Sequence, residues 1–279
     1  MSKWKKSKES WAWISDQNHL MAMMAVTILG NNSALSMHDR HQTAQLVTTD
    51  HTQLLVDCGE NTQDQLQRFK VKKSKIDHIF ISHLHGDHYY GLPGLLNSYS
   101  LNNRDRPLHL YANPLLMEII ELQLKAADTR LNYELVFHPI TKAGTLLALE
   151  RLQVSCFPVS HRIPCWGFVF CQIDKKSSQE LKYAYCADTK YEEMILPYIQ
   201  GANLIYHEST YLADQSEKAV ARFHSTSIEA AAIAKQANAG RLLLGHFSSK
   251  YADLSAFEKE ARQVFQHTEI SQEGVSYLV

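Results

Sequence analysis

The segment ISHLHGDHYYGLPGLL, residues 81–96, concentrates polar side chains directly after the apolar run IDHIFI. Within six positions it contains three histidines and one aspartate: His83, His85, Asp87 and His88. Imidazole nitrogen together with carboxylate oxygen suits zinc, and also iron or manganese. Because an arbitrary loop seldom contains H-x-H-x-D-H, the pattern predicts a metal site rather than a set of solvated loop residues.

The spacing of the motif indicates how its side chains are directed. If the segment is extended, His83 and His85 point the same way, because alternate side chains of a strand share a face. Asp87 and His88 are adjacent, so they diverge and can serve different metal ions. Gly86 permits a sharp backbone path between the two pairs. Two metal ions need more ligands than this motif supplies, so other parts of the chain must provide the rest.

Three other apolar segments end in a residue that can bind a metal. These are FPVSH, YAYCAD and RLLLGH, which end in His161, Asp188 and His246. A single residue of this kind is more often a cap or a turn residue. Side chains at strand ends can nevertheless converge across the mouth of a sheet in α/β proteins. We therefore expect the three together to complete the first cluster.

Other patterns predict the elements that position these residues. Short segments rich in β-branched and aromatic residues indicate strands at 25–30, 43–49, 52–59, 76–82, 108–112, 152–160, 167–173, 182–188, 203–207 and 241–246. Helical patterns cover 62–69, 94–101, 114–127, 227–238 and 254–266, the fourth with a capping box at Thr226 and Glu229. Early hairpins followed by alternating strands and helices predict an α/β fold with sheets covered by helices. We expect one domain at 24–279, preceded by an N-terminal extension at 1–23.

The composition excludes some classes of partner. Lys+Arg number 28 and Asp+Glu 29, so no overall field favours nucleic acid or an anionic membrane. The basic runs KWKKSK (3–8) and KVKKSK (70–75) are interpreted as solvated lysines, with a phosphate-binding patch as the alternative. No apolar stretch reaches the ~20 residues of a membrane span, and no signal peptide is predicted. The five cysteines include no C-x-x-C pair and are expected to be buried and reduced, which suits the cytoplasm.

The motifs together resemble those of one enzyme family. HLHGDHYYGLPGLL, with DCGENTQDQL upstream and HESTY, HSTSIEAAAIAK and LLLGHFSSKY downstream, is similar to ribonuclease Z, the tRNA 3′-processing branch of the metallo-β-lactamase superfamily. The resemblance runs from about Met24 to Val279. It implies an αβ/βα sandwich of two mixed sheets flanked by helices, with two zinc ions at one edge. It also implies precursor tRNA as substrate and a homodimer as the common assembly.

The resemblance assigns roles to individual residues. The resemblance implies that one ion is held by His83, His85 and His161. It implies that the other ion is held by Asp87, His88 and His246. Asp188 is implied to bridge them, and Asp87 to orient the attacking water or take its proton. Glu208 in HEST and His224 in HST match the family's acid/base pair, in which the imidazolium protonates the leaving oxygen. The alternatives are a surface carboxylate at a strand end for Glu208 and a polar residue beside the helix cap for His224.

Two departures from the family pattern leave more than one class of substrate possible. Ribonuclease Z enzymes usually carry a long arm that clamps tRNA, whereas the segment between His161 and Asp188 has room only for two strands and a hairpin around DKKSSQ. The segment ILGNNSALSMHDRHQTAQLV replaces a Gly-rich loop and an Arg-Asn pair, and places His41 there. Without the arm, most distant phosphate contacts are lost, so a small phosphodiester or another RNA is an alternative substrate. Thioester or lactam hydrolysis, and a binding protein without activity, are further alternatives.

Overall fold

A computed structural model describes residues 24–50, 52–173 and 180–279 of the chain. The predicted N-terminal extension, residues 1–23, and the run KWKKSK within it lie outside these described residues. Two mixed sheets of seven strands each, flanked by helices, form the structure. The predicted α/β sandwich is therefore confirmed.

The first sheet has the strand order β14-β1-β2-β3-β4-β5-β6. Strands β1 to β3 pair antiparallel, β14 pairs antiparallel with β1, and β3 to β6 run parallel. The strands are β1 (Ala25–Gly30), β2 (Ala44–Thr48), β3 (Gln53–Val56), β4 (Ile76–Phe80), β5 (Leu108–Ala112), β6 (Leu135–Pro139) and β14 (Ser276–Leu278).

The second sheet repeats this design, with the order β13-β12-β11-β10-β9-β8-β7. Strands β7 to β10 pair antiparallel, and β10 to β13 run parallel. The strands are β7 (Gly144–Ala148), β8 (Leu152–Pro158), β9 (Trp166–Ile173), β10 (Glu180–Cys186), β11 (Leu204–Glu208), β12 (Arg241–Gly245) and β13 (Thr268–Ile270). Within each parallel half, the carboxyl ends of the strands lie at the same edge of the sheet.

Helices cover the outer faces of both sheets. They are α1 (Thr62–Arg68), α2 (Gly86–Tyr89), α3 (Leu92–Leu101), α4 (Leu115–Ala126), α5 (Leu196–Ile199), α6 (Ser216–Arg222), α7 (Ser227–Gln236) and α8 (Ser255–Arg262). Apolar residues of α1, α3 and α4 form one core with the first sheet, and those of α5, α7 and α8 form another with the second. The predicted capping box of Thr226 and Glu229 begins α7.

Between the sheets lies a third core that is rich in aromatic rings. The ring of Phe80 from β4 lies 5.6 Å from that of Phe168 and 5.8 Å from that of Phe170, both on β9 and both edge-on. All three side chains are fully buried. Edge-to-face packing of this kind stabilises a pair beyond its buried area by ~0.5–1.5 kcal/mol. The inner faces thus hold the two sheets in contact below the edge where the metal-type residues lie.

Every predicted strand and helix is present, with ends shifted by up to four residues. The predictions omitted the edge strands β6 and β7, whose residues are mostly half-buried or exposed and so lack a clear apolar alternation. They also omitted the three-residue strands β13 and β14, which are too short to show a pattern, and the short helices α2, α5 and α6.

The five cysteines are free and four of them are buried, as predicted. Among the described helices, none combines the length and apolar character of a membrane span.

Three histidines without a predicted role pack together on neighbouring strands. The ring of His78 on β4 stacks on that of His109 on β5 at 4.9 Å. His109 Nδ1 lies 3.0 Å from His138 Nε2 on β6, and the Tyr111 hydroxyl lies 3.3 Å from His78 Nδ1. Burial, followed by the charge of His109, lowers the pKa of His78 to about 4. These contacts are those of packing histidines.

The depressed pKa of His78 predicts a loss of stability in mild acid. Its folded pKa of about 4 lies below the ordinary 6.5. The unfolded chain therefore binds this proton first, and the stabilisation present near neutrality is lost as the pH falls from 6.5 toward 4. Urea denaturation with a metal chelator at pH 7 and pH 5 measures the effect. The free-energy deficit of His78→Phe relative to wild type should shrink by ~1–2 kcal/mol at the lower pH. A deficit that is the same at both pH values would contradict the prediction.

Candidate metal centre

The candidate ligands follow the carboxyl ends of strands that meet at one edge of the sandwich. His83 lies shortly after β4, and His161 shortly after β8. Asp188 comes two residues after β10, and His246 directly after β12. Each of these four residues lies within three positions of its strand end, so the strands fix where these side chains lie.

The H-x-H-x-D-H segment is extended only as far as His85. At that residue the backbone is still in the β region, with φ −77° and ψ 145°, and helix α2 starts at Gly86. Asp87 and His88 therefore lie on a helical turn, rather than on the extended segment that the spacing suggested. The turn still separates the two pairs of ligands, as expected.

One group of side chains surrounds His85. Its Nδ1 atom lies 3.0 Å from His83 Nε2 and 3.1 Å from His161 Nε2. The carboxylate oxygen Oδ2 of Asp188 lies 3.7 Å from His83 Nε2 and 3.8 Å from His161 Nε2. Four potential ligand atoms thus converge on one point.

A second group lies beside the first. His88 Nε2 and His246 Nε2 are 3.3 Å apart, and Asp87 Oδ2 lies 3.8 Å and 3.5 Å from them. The oxygen Oδ1 of Asp188 completes this group, at 3.3 Å from His88 Nε2 and 3.1 Å from His246 Nε2. The two oxygens of one carboxylate therefore face two different sets of nitrogens.

The donor atoms fit divalent metal ions. Ligand atoms that lie 2.0–2.1 Å from one tetrahedral ion are ~3.3 Å apart, close to the separations within each group. Asp188 is 2% exposed, and its Oδ1 accepts no hydrogen bond from the described residues. A buried carboxylate oxygen without a donor is costly unless a cation compensates it. The set of imidazole and carboxylate donors matches zinc, manganese or iron.

The second nitrogen of each buried imidazole is held by a protein group. His88 Nδ1–H donates to Asp57 Oδ2 at 2.8 Å, and His161 Nδ1–H donates to the carbonyl of Phe223 at 3.0 Å. His246 Nδ1 lies 3.0 Å from the Thr210 hydroxyl. Such contacts fix the tautomer and the orientation of metal-binding histidines.

Asp57 is a functional candidate that the sequence analysis missed. It is fully buried and has a positive φ of 56°. Besides His88, it accepts the backbone N–H and the hydroxyl of Ser82 at 2.7 and 2.9 Å, and the Tyr185 hydroxyl at 2.6 Å. Asp57 follows the apolar run LLV directly. The strand-end signal that identified Asp188 could have identified it as well.

Glu208 and His224 lie together beside the candidate metal ligands. Glu208 is fully buried, so the alternative of a surface carboxylate is wrong. His224 Nδ1–H donates to Glu208 Oε1 at 2.9 Å and lies 4.0 Å from Asp188 Oδ2. Glu208 also accepts the backbone N–H groups of Thr189, Thr210 and Ser225, and the Thr210 hydroxyl. His224 is therefore within the site, although it also lies two residues before the cap of α7.

The pKa shifts within the site favour the neutral form of some groups and the charged form of others. Burial and the neighbouring His161 lower the pKa of His85 to about 4, which leaves a lone pair free to bind a cation. Burial also disfavours the charged form of His224, but the charges of Glu208 and Asp188 and a hydrogen bond outweigh it and raise its pKa to about 9. Burial raises the pKa of Asp188, but the surrounding imidazoles hold it well below its usual range.

The loop of residues 31–42 lies against the site. The backbone N–H of Ala34 donates to Asp87 Oδ2 at 2.7 Å. His41 Nδ1 lies 2.8 Å from Glu273 Oε2, so this histidine binds a carboxylate at the base of the loop. The guanidinium of Arg40 donates to the carbonyls of Tyr251 and Ala252. His41 and Arg40 thus tether the loop to the protein.

Two expectations about phosphate contacts concern regions away from the cluster. Strands β9 and β10 form the predicted hairpin, with Ile173 opposite Glu180, and the six residues that connect them lie outside the described residues. The run KVKKSK precedes β4, whereas the candidate ligands follow the other end of that strand. This run therefore lies at the opposite edge of the sheet.

Comparison with known proteins matches this chain to a family model and to curated relatives. The family model described as "Anti-Pycsar protein Apyc1" matches residues 24–270. A ribonuclease Z of Cytophaga hutchinsonii is 38% identical, over 90% of this chain and 95% of the relative. That alignment extends over 297 positions but takes in only 90% of the 279 residues of this chain, so the relative carries several tens of residues that this chain lacks.

Solved structures agree with these relatives. The human tRNase Z, short form, superposes with a TM-score of 0.79 at 30% identity, over 91% of this chain and 98% of that one. The metallo-β-lactamase fold protein YhfI from Bacillus subtilis superposes with a TM-score of 0.78 at 24% identity, over 92% and 100%. At 24% identity, the likeness to YhfI shows the fold alone.

The contacts of Asp57 predict a specific effect on metal binding. Asparagine tolerates the positive φ of this position, so Asp57→Asn removes the charge with little backbone strain. We expect zinc affinity to fall by ~10–100-fold, because His88 loses the carboxylate that orients it. Competition with a chromophoric zinc chelator measures this, and exposed Asp214→Asn is the matched control. Equal zinc affinity in Asp57→Asn and the control would exclude the orienting role.

Proposed function

Because this chain belongs to the ribonuclease Z family of metal-dependent hydrolases and to the family described as "Anti-Pycsar protein Apyc1", we propose that it is a phosphodiesterase that cleaves precursor tRNA at its 3′ end. One observation carries the proposal. The carboxylate of Asp188 turns one oxygen toward each group of imidazoles, with the Glu208–His224 pair beside it. The proposed hydrolase domain spans residues 24–279.

The proposed cofactor is a pair of zinc ions, with manganese or iron as alternatives. His83, His85 and His161 would hold one ion, Asp87, His88 and His246 the other, and Asp188 both. Bound metal ions would acidify a water molecule and neutralise charge on the phosphoryl group. The donor types and their separations support this assignment.

Asp87 has a second role in this proposal. Its side chain is 13% exposed, more than that of any other carboxylate in the two groups, and its Oδ2 accepts the Ala34 N–H. That hydrogen bond uses one lone pair of Oδ2. The remaining capacity can orient the attacking water molecule and accept its proton.

His224 is the proposed general acid. Burial disfavours the charged imidazole, but the carboxylate of Glu208 accepts its Nδ1–H and raises its pKa, which favours the protonated form. The other ring nitrogen is then free to donate a proton to the leaving 3′ oxygen of the ribose. The products would be a 3′-hydroxyl on the tRNA and a 5′-phosphate on the trailer.

A small phosphodiester is the second candidate substrate. The hairpin of β9 and β10 leaves only six residues between the strands, and the curated relative carries residues that this chain lacks. Affinity for a polyanion depends steeply on the number of phosphate contacts. The description of the matching family model also differs from ribonuclease Z. Thioester hydrolysis has less support, because a thiolate leaving group does not need the acid that His224 supplies.

Assembly and location follow the family in this proposal. We propose a homodimer that acts in the cytoplasm without a membrane partner. The five free thiols are consistent with a reducing compartment.

The general acid predicts a difference between two substrates. His224→Ala should slow cleavage of precursor tRNA by ~10²–10⁴-fold, because the ribose oxygen leaves poorly without a proton. The same variant should lose far less activity on bis(p-nitrophenyl) phosphate, because p-nitrophenolate leaves as an anion. Rates of both zinc-loaded reactions, measured side by side, test this.

The controls separate this role from damage to the site. Asp87→Ala should abolish both reactions, and exposed His267→Ala should leave both unchanged. An equal loss of both activities in His224→Ala would contradict the acid role. A wild-type protein that cleaves only the small diester would favour the second candidate substrate.

Two lysines near His224 predict a salt-dependent contact with RNA. Lys218 Nζ and Lys250 Nζ lie 5.4 and 5.6 Å from the ring centroid of Tyr211, whose ring lies 6.2 Å from that of His224. Neither lysine forms an ion pair within residues 24–50, 52–173 and 180–279. Replacing both by alanine should weaken tRNA binding and lower the slope of log K against log salt by about one per lost contact. Filter binding at several salt concentrations measures the slope. Lys72→Ala with Lys75→Ala is the control, and a larger effect there would place the RNA contact on KVKKSK instead.

A further inference from the structure

Three large apolar side chains are exposed on the two segments that adjoin Asp87. Tyr90 is 58% exposed, Leu35 56% and Met37 46%. Isolated exposed apolar residues are ordinary. These three differ because one lies against the residue before Asp87, and the other two belong to the loop whose Ala34 N–H binds the Asp87 carboxylate.

The ring of Tyr90 lies directly on the backbone of Gly86. A Cβ atom at Gly86 would be 2.2 Å from Tyr90 Cε2, so only glycine permits this contact. The Tyr90 N–H donates to the Gly86 carbonyl at 2.9 Å, and the ring of Tyr89 packs at 5.0 Å and 69° against that of Tyr90. The ring thus lies on the backbone that joins the candidate ligands His85 and Asp87, and the residue is more than half exposed.

The loop that carries Leu35 and Met37 is fixed by hydrogen bonds. Asn32 Nδ2 donates to the Leu35 carbonyl at 2.5 Å, and Met37 and Arg40 exchange backbone hydrogen bonds of 3.0 and 3.1 Å. Ala34 has a positive φ of 56°, which is unfavourable for a residue with a Cβ. Strained conformations of this kind are often found at functional sites. The loop therefore presents its apolar side chains in a defined position, although burying them would be favourable.

We propose that Tyr90, with Leu35 and Met37, forms a platform for the nucleobase of the nucleotide that carries the reacting phosphate. This inference rests on the proposed function, and it names how the substrate is held. A base has an apolar face and stacks on an aromatic ring whatever its identity. The phosphate of the same nucleotide would then reach the candidate metal ligands, because Tyr90 packs on the backbone between two of them, His85 and Asp87.

The platform is consistent with the short β9–β10 hairpin. An enzyme without a long arm must obtain affinity from contacts close to the reacting phosphate. A base platform serves both candidate substrates, since the end of a tRNA and a nucleoside-containing diester each present a base. The class of ligand is therefore a nucleotide, rather than a phosphate ester in general.

The test compares two probes that differ only in the base. Adenosine 5′-monophosphate and ribose 5-phosphate are titrated into the zinc-loaded protein by calorimetry. Tyr90→Ala should weaken binding of adenosine 5′-monophosphate by ~5–100-fold, as expected for one stacked base, and leave ribose 5-phosphate binding unchanged. Tyr90→Phe keeps the ring and should bind like wild type. Leu122→Ala, at an exposed leucine on α4, is the control and should change neither affinity.

Several results would overturn the platform. One is a wild-type protein that binds the two probes equally well, and another is a Tyr90→Ala protein that loses both alike. Zinc content is measured for each variant, so that a damaged metal site is recognised. Because binding is measured without turnover, a base-dependent affinity in a protein that cleaves no diester refutes the proposed function alone. Cleavage without any preference for the base refutes the platform alone.

Discussion

The buried carboxylate of Asp188 is the group on which the arrangement of the site depends. An ionised carboxylate with 2% exposure is unfavourable unless positive charge or hydrogen-bond donors surround it. Here imidazole nitrogens lie on both sides, 3.1 to 3.8 Å from its oxygens. Metal ions between the carboxylate and the imidazoles would compensate both the charge and the converging lone pairs. The rest of the site can be understood as the support for this one group.

That support comes from a second layer of polar side chains at the same sheet edge. Asp57 holds His88, Thr210 holds His246, and Glu208 holds His224. Each of these groups is itself buried. Asp57 and Glu208 receive further hydrogen bonds from backbone and hydroxyl groups, and the Thr210 hydroxyl is one of the donors to Glu208. A buried polar network is stable only when its members are satisfied, so this layer restricts the orientation of the imidazoles. The aromatic core between the sheets holds the strands whose ends carry both layers.

The side chains around the cluster differ in their chemistry from those of the cluster itself. This chain belongs to a family of metal-dependent hydrolases, and the curated relative carries residues that this chain lacks. Contacts near the reacting groups therefore gain importance, namely the lysines over Tyr211, and Tyr90 with the loop that carries Leu35. A substrate with both phosphate and base matches this distribution of charge and apolar surface.

The sequence alone was sufficient for the ligand types, the order of the strands that precede them and most of the elements, because these depend on local patterns. It was also sufficient to recognise a capping box at Thr226, which involves residues close in the chain. It did not reveal α2, because four residues make a single turn and are too few to show a helical repeat. Nor did it identify Asp57 as the partner of His88, since the two are 31 positions apart and meet only when β3 and β4 pair in parallel. Which oxygen of Asp188 faces which imidazoles is a property of two sheets packed together, and only the tertiary structure decides it.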